Sequence, residues 1–340
     1  METSKNRYRL QGSAVTNIGQ VRSHNEDNVH LWTNEAKLLA IVADGMGGAA
    51  AGEEASRIAV ETIQNHLLDL EEAPASFDAP EQELRAAIQA ANLSIMQQAV
   101  DQPQQRGMGT TLTMVFVNGN EARFAHVGDS RAYRVNGLGE IHQVTSDHSF
   151  VQALLDAGHI TEEQAENHPM GNVLYRALGQ DRDVDVDTYS LRLRPGEKLV
   201  LCSDGLTRHV RPDEIALLAE SSEMLAEFSQ KLVDKANERG GEDNISVITI
   251  SIERIDAAEG EAEEEFDDDD DTLILTDRRD SPPTQDASDV RASAEPYNHI
   301  NVNVDATAAD ERLSPRLNPP RRGAYGPYSD PEGRDAHAPR

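Results

Sequence analysis

Ten residues constrain this chain more than any others: Leu39-Ala-Ile-Val-Ala-Asp44-Gly45-Met46-Gly47-Gly48. They open with five apolar residues, a run of strand length that is costly to leave in water, which predicts a buried β-strand. The run ends in an aspartate, and glycines follow at once. Gly45, Gly47 and Gly48 permit backbone angles that a Cβ forbids. Asp44 is therefore expected at the end of a core strand, facing a turn where the backbone comes close to something small. A carboxylate in such a place must be paired, hydrogen-bonded or bound to a cation.

At 340 residues the chain has room for one large domain with an extension, or for two domains. Aspartate and glutamate number 61 against 31 lysine and arginine, a formal net charge of −30. That argues against a nucleic-acid partner, because phosphate backbones are held by basic surface. The sole cysteine, Cys202, allows no intrachain disulfide and suits a reducing compartment. Met1 to Arg7 is polar and lacks the apolar core of a secretory leader. No stretch approaches the ~20 apolar residues of a membrane span. A cytoplasmic location is the expectation.

Strands are expected at Arg9 to Val15 and Val29 to Trp32, around the polar, turn-prone Thr16 to Asp27. Glu53 to Leu70 reads as a helix, with Ala55, Ile58, Ala59, Ile63, His66 and Leu67 recurring at spacings of three and four. Pro80 to Val100 reads as a second, through Leu84, Ala87, Ile88, Ala91 and Ile95. Two amphipathic helices with a short link suggest a pair lying on a flat surface. Thr111 to Val117, Glu121 to Val127, Arg131 to Val135 and Glu140 to Thr145 supply it, as short strands with Gly/Asn turns between them. Successive hairpins argue for antiparallel sheet. Ser146 or Asp147 is expected to cap a helix running to about Ala157. Later strands are expected at Val184 to Leu193, Glu197 to Cys202 and Ile245 to Ile252, with helices at Pro212 to Ala219 and Glu223 to Glu238.

The composition changes near residue 255. Glu261 to Asp271 is almost all acidic, Pro, Ser, Asp and Arg follow, and no lysine occurs after Lys235. Such a segment buries too little apolar surface to offset its ordering entropy. The expected division is a globular domain over 7–254 and a disordered acidic tail over 255–340. Within the tail, Asp267 to Asp271 leads into Thr272-Leu-Ile-Leu-Thr276, a candidate kinase site or docking strand for a phosphothreonine-binding partner.

Five carboxylates, Asp27, Asp44, Asp129, Asp204 and Asp243, each stand at a strand end or in a turn beside Gly or Asn. One aspartate at a turn is usually just a turn former. Five at the rims of core strands would repel one another and call for a compensating cation. All-oxygen ligands suit hard divalent metals such as Mg²⁺ or Mn²⁺, and no cysteine–histidine set has zinc spacing.

The motifs, taken in order, are Gly19-x-x-Arg22-x-x-Asn25-Glu26-Asp27, Asp44-Gly45-Met46-Gly47-Gly48 and Gly107-Met-Gly-Thr-Thr111. Val127-Gly-Asp129-Ser-Arg131, Asp147-His-Ser149, His168-Pro169, Arg176-Ala-Leu-Gly179, Ser203-Asp204-Gly-Leu206 and Glu242-Asp243-Asn244 follow. Any one of them is weak, but the ordered set resembles the metal-dependent PP2C-type (PPM) serine/threonine phosphatases in their bacterial form. The resemblance implies an α+β fold: two stacked antiparallel β-sheets flanked by helix pairs. It implies a binuclear Mg²⁺ or Mn²⁺ centre with Asp44 bridging, the Gly45 carbonyl on one metal, and Asp204 and Asp243 on the other. Asp129 would serve a third, weaker metal, Glu26 and Asp27 would orient water, and Arg22 would grip the phosphate. The implied reaction is hydrolysis of phosphoserine and phosphothreonine in proteins by a metal-activated hydroxide, reversing a bacterial Ser/Thr kinase. The rival reading is a catalytically weak relative that acts as a phosphoprotein-binding scaffold.

Two departures stand out. Asn17 takes a place where many relatives carry Asp, and is expected to cap the turn all the same. Relatives also carry histidine at the place of Met46 or Ala49, proposed there to protonate the leaving group. Acid help is typically worth roughly 10²–10⁴-fold, so the identity of the proton donor is open. His24 is a minor candidate. His126 is expected to be structural, and His66 to pack in the core.

Overall fold

The computed structural model describes residues 8–34, 36–72, 81–166, 168–255 and 274–275. The strand singled out by the sequence is β3 (Lys37–Met46), which pairs antiparallel with β2 (Asp27–Asn34) and β5 (Leu112–Asn118). Extended backbone points successive side chains to opposite faces. Leu39, Ile41 and Ala43 enter a core shared with helices, while Leu38, Ala40 and Val42 enter a second core between two sheets. Both faces are covered, so the run is continuously apolar rather than alternating. The strand does not stop at Asp44. It continues to Met46, where Gly45 and Met46 pair with Thr110 and Gly109 of β4 (Gly109–Thr110).

The remaining strands are β1 (Tyr8–Asn17), β6 (Glu121–Val127), β7 (Arg131–Val135), β8 (Ile141–Gln143), β9 (Asp187–Arg192), β10 (Lys198–Cys202), β11 (Ile245–Arg254) and β12 (Ile274–Leu275). One sheet runs β1-β11-β10-β7-β8, the other β12-β9-β6-β5-β3-β2 with β4 on the end of β3. Helices α1 (Ala49–Glu72) and α2 (Glu81–Asp101) cover the outer face of the second sheet through Ala55, Ile63, Leu67, Leu84 and Ile88. Beyond the short α3 (Phe150–Asp156), α4 (Glu162–Glu166) and α5 (Asp204–Thr207), α6 (Pro212–Glu220) and α7 (Leu225–Glu238) cover the first. There Phe228 and Leu232 meet Val200 and Cys202. The result is the helix–sheet–sheet–helix order expected. No helix among the described residues is long and apolar enough to cross a membrane.

Four local readings change. Gly128-Asp-Ser reads as a hairpin turn, but β6 and β7 lie in different sheets, so this segment crosses between them. Gly128 makes the crossing possible. Its φ is +113°, and a Cβ there would stand 2.6 Å from the Cβ of Thr111. The cap of α3 is Ser149, whose hydroxyl accepts from the Gln152 N–H, rather than Ser146 or Asp147. His66 is exposed, with Nε2 3.6 Å from Glu83 Oε2 of the neighbouring helix, because Ile63 and Leu67 take the inward positions. Finally, Ile274–Leu275 departs from a structureless tail by pairing with Ser190 and Tyr189 of β9. An edge strand presents unpaired N–H and C=O groups, which an apolar segment can extend. Thr272 and Thr276 lie outside the described residues.

Candidate functional site

The space between the sheets is lined by alternate residues of each strand, and at one end that lining changes character. After Leu38, Ala40 and Val42, the next position on the same face of β3 is Asp44, and Asp27 of β2 stands directly opposite it. After Leu199 and Leu201 on β10 comes Ser203, whose hydroxyl donates to Asp27 Oδ2 at 2.8 Å. The sandwich thus ends in polar groups, and a cavity of about 260 Å³ opens there. Seven of the eight residues nominated from the sequence line it: Arg22, Glu26, Asp44, Gly45, Asp129, Asp204 and Asp243. Asp27 does not, and is buried just behind.

Each is held by its neighbours. The Asp44 N–H donates to Thr111 Oγ1 at 3.0 Å, and its carbonyl accepts from the Thr111 N–H at 2.9 Å and from Thr110 Oγ1 at 2.8 Å. The paired threonines of the third motif therefore strap the end of β3. Gly45 is required by space rather than by backbone angle: a Cβ would stand 2.1 Å from the Gly52 carbonyl oxygen and 2.6 Å from that of Glu26. Glu26 is fixed through its backbone, whose N–H donates to Asn244 Oδ1 at 2.8 Å. Asp243 Oδ1 accepts from the Asn244 N–H at 2.9 Å, and its Oδ2 accepts from Arg22 at 2.8 Å. Asn17 Oδ1 accepts from the Gly19 N–H at 2.9 Å, so the asparagine caps its turn as expected. His24 is exposed and does not line the cavity.

Burial and mutual repulsion leave Asp27, Asp44 and Asp129 short of stabilisation. Burial pushes Asp44 well above the usual range, with Asp27, Asp204 and Asp129 adding to it. Asp129 is pushed up to about 8 by burial, then by Asp204 and Asp147. Asp27 rises to about 7 through burial, against the hydrogen bonds of Ser246 and Ser203. Oδ1 of Asp27 and Oδ1 of Asp204 are buried without a hydrogen-bond partner. Among the described residues no three acidic or histidine side chains close on a single point. They share one cavity, and guanidinium groups reach into it. An all-oxygen set with unsatisfied buried atoms is the donor chemistry that hard divalent cations take.

Sequence reasoning missed two features. The first is Arg208, on the cavity wall, which donates to Asp204 Oδ2 from one turn further along and stands 3.7 Å from Asp243 Oδ2. Its i,i+4 spacing from Asp204 was the available signal. The second is the support behind Asp129. The Gly128 N–H donates to His148 Nδ1 at 3.0 Å, and the His148 N–H returns a bond to the Gly128 carbonyl at 2.7 Å. Nδ1 therefore carries no proton, and Nε2–H faces Asp187 Oδ2 at 3.2 Å. Arg176 donates to Asp187 Oδ1 at 2.7 Å. Burial works against the Asp187 carboxylate, yet His148 and Arg176 hold it well below the usual range. The motifs around residues 148 and 176 thus brace the turn that carries Asp129.

His126 lies against His148, ring centroids 4.8 Å apart, and is fully buried. Burial, with His148 second, pushes it down to about 3. The unfolded chain takes up this proton near the ordinary value of about 6.5, so between about 3 and 6.5 the unfolded state binds more protons. Stability from this group is therefore lost as pH falls through that window, at up to about 1.4 kcal/mol per unit. Urea unfolding at about pH 6 and about pH 5 is expected to show a shallower loss in His126→Gln than in wild type. Equal slopes would remove His126 as the cause.

A profile of the protein phosphatase 2C family matches residues 19–245. Serine/threonine phosphatase stp of Listeria monocytogenes is 40% identical over 238 residues, covering 69% of this chain and 93% of that protein. The crystal structure of the serine/threonine phosphatase PstP/Ppp of Mycobacterium tuberculosis superposes with a TM-score of 0.65 at 36% identity, covering 72% of this chain and 100% of that one. A structure of the PstP catalytic domain in complex with two manganese ions gives a TM-score of 0.64 at 35% identity, covering 72% of this chain and 99% of that one. The matched span runs from the turn before Arg22 to the strand after Asp243, so it contains every cavity residue just described, and this chain belongs to the protein phosphatase 2C family.

Proposed function

We propose that this chain hydrolyses phosphoserine and phosphothreonine in proteins with two divalent cations, Mg²⁺ or Mn²⁺. Asp44, the Gly45 carbonyl, Asp204 and Asp243 would hold them, and Asp129 would serve a third, weaker site. The observation that carries the reading is the convergence of four aspartates from distant segments, with Arg22, on one cavity. Serine/threonine phosphatases among the relatives, and a two-manganese neighbour, support it. The bound cations would supply hydroxide near neutral pH and offset the charge of the phosphate.

The chain's own residues do the rest. Arg22 offers a planar fork to the phosphate oxygens. Glu26, on the cavity wall, and Asp27, behind it, would orient water. Cys202 is no competing nucleophile, since it is buried and its thiol is pushed up to about 12. Met46 lines the cavity and has no proton to give. The leaving alkoxide then takes its proton from water, and substrates with acidic leaving groups turn over faster. The biological counterpart is a bacterial Ser/Thr kinase, and Thr272 and Thr276 are candidate marks for a phosphothreonine-binding partner, to be sought by mass spectrometry after co-expression with that kinase.

The test is hydrolysis of p-nitrophenyl phosphate and phosphothreonine peptides with Mn²⁺ and with chelator. Metal-dependent release of phosphate from both is expected. A protein that binds phosphopeptide but never hydrolyses it would be a scaffold instead. Sugar phosphates turned over faster than peptides would move the substrate class. Arg22→Ala is expected to raise KM for phosphopeptide by about tenfold or more, the scale of a lost charge-assisted hydrogen bond, with a smaller change in kcat. An unchanged KM would remove the clamp role.

A further inference from the structure

Arg208, on the cavity wall, engages carboxylate oxygens that a cation would also need. It follows α5, and its side chain folds back one turn onto Asp204 Oδ2, the carboxylate of that helix's first residue. Its NH1 lies 3.7 Å from Asp243 Oδ2, and the Arg22 guanidinium reaches that same oxygen at 2.8 Å. Two guanidiniums thus meet over one carboxylate from different segments of the chain. They face five acidic residues on the cavity wall, Glu26, Asp44, Asp129, Asp204 and Asp243. Burial opposes a charge on Arg208, but Asp204, Asp243 and Asp129 outweigh it and raise its pKa. The side chain is 32% exposed, so it has room to move without disturbing the core.

We propose that Arg208 is an internal counter-ion that tunes cation affinity at Asp204 and Asp243, and that on displacement it becomes the second arm of the phosphate clamp opposite Arg22. The inference rests on the two-cation reading above. Oδ1 of Asp204 has no partner and is open to a cation, whereas Oδ2 is engaged by the guanidinium, so a cation that draws on Oδ2 has to open that pair. By linkage, whatever favours the closed pair disfavours the cation by the same factor. Once the carboxylates are taken, the freed guanidinium still sits on the cavity wall. The anionic partner that enters this cavity is the substrate phosphate, and a planar, always-charged fork suits it. The same side chain thereby weakens cation binding in the resting protein and strengthens substrate binding in the loaded one.

The experiment is calorimetric titration of Mn²⁺ into metal-stripped full-length wild type, Arg208→Ala and Arg208→Lys, followed by kinetics on a phosphothreonine peptide at saturating Mn²⁺. Melting in chelator checks that each variant is folded. Arg208→Ala is expected to bind Mn²⁺ about two- to fivefold more tightly, the scale of a partly exposed ion pair given up by the competitor. Its KM for peptide is expected to rise about tenfold at saturating metal. Arg208→Lys keeps the charge but not the fork, and is expected to sit near wild type in Mn²⁺ affinity and near alanine in KM. Equal or weaker Mn²⁺ binding by Arg208→Ala overturns the counter-ion, and an unchanged KM overturns the second arm. A wild type that takes up no Mn²⁺ would overturn this inference and the two-cation reading together, whereas a wild type that binds it normally confines the failure to Arg208.

Discussion

Replacing Asp44 by alanine is expected to lower kcat on any phosphomonoester by roughly a thousandfold or more, the rate equivalent of about 4 kcal/mol of lost transition-state stabilisation. In the proposed mechanism Asp44 is the carboxylate that would serve both cations. It ends the inter-sheet face of β3, opposite Asp27, and its backbone is held on both sides by Thr110 and Thr111. No other cavity carboxylate stands on β3. Asp44→Asn separates chemistry from folding. It keeps the shape and removes the charge, so turnover should fall nearly as far. In chelator its stability should move the other way. Burial and the neighbouring aspartates raise the Asp44 pKa in the folded protein, so its ionised form is a destabilising group at neutral pH. The amide removes that strain, and Asp44→Asn should melt at or above wild type when metal is stripped. An Asp44→Asn protein that hydrolyses p-nitrophenyl phosphate at near wild-type rate would end the proposed mechanism.

The second large effect is on stability and lies away from the cavity. Arg134 of β7 and Glu197, just ahead of β10, form a forked ion pair, with Nε to Oε2 at 3.0 Å and NH2 to Oε1 at 2.5 Å. Their side chains are only 12% and 2% exposed. Glu197 also accepts from the Arg194 N–H at 2.9 Å, which fixes the turn into β10. Glu197→Ala takes a buried, forked carboxylate away from Arg134, and breaking a buried pair costs about 3–5 kcal/mol. Glu197→Ala should therefore lower the melting temperature by about 10 °C, given roughly 2–4 °C per kcal/mol for a domain of this size. A paired replacement of Arg134 and Glu197 by apolar residues of similar volume should recover part of that loss, because both charges of this pair leave the interior together. Urea unfolding of the single and double variants checks both statements. A loss below about 1 kcal/mol in Glu197→Ala would show that the pair is solvated in solution.

The strands were legible in the sequence because burial on two faces leaves a mark in consecutive residues. Glu121 to Val127 and Arg131 to Val135 were bounded correctly from apolar pattern and turn residues alone. The candidate site was legible for a different reason. The ordered set of motifs resembles that of a known family, and seven of the eight residues nominated through that resemblance line the cavity. Arg208 was not legible, since an arginine four residues after an aspartate on a helix is ordinarily a surface pair. His66 was misread because the helical pattern gives the apolar face but not its edge, where the second helix stands.

Taken alone, the amino-acid order determined the elements, the family resemblance and the set of oxygen donors, because propensity, periodicity and motif spacing are written over a few neighbouring residues. The tertiary structure alone decided that β6 and β7 part company into separate sheets, that Asp27 sits behind the cavity rather than in it, and that Arg208 competes for Asp204. It also decided that Ile274–Leu275 extends β9. Each of these depends on which strand lies beside which and in what register. That is set by contacts between residues far apart in the chain, and no local pattern carries it.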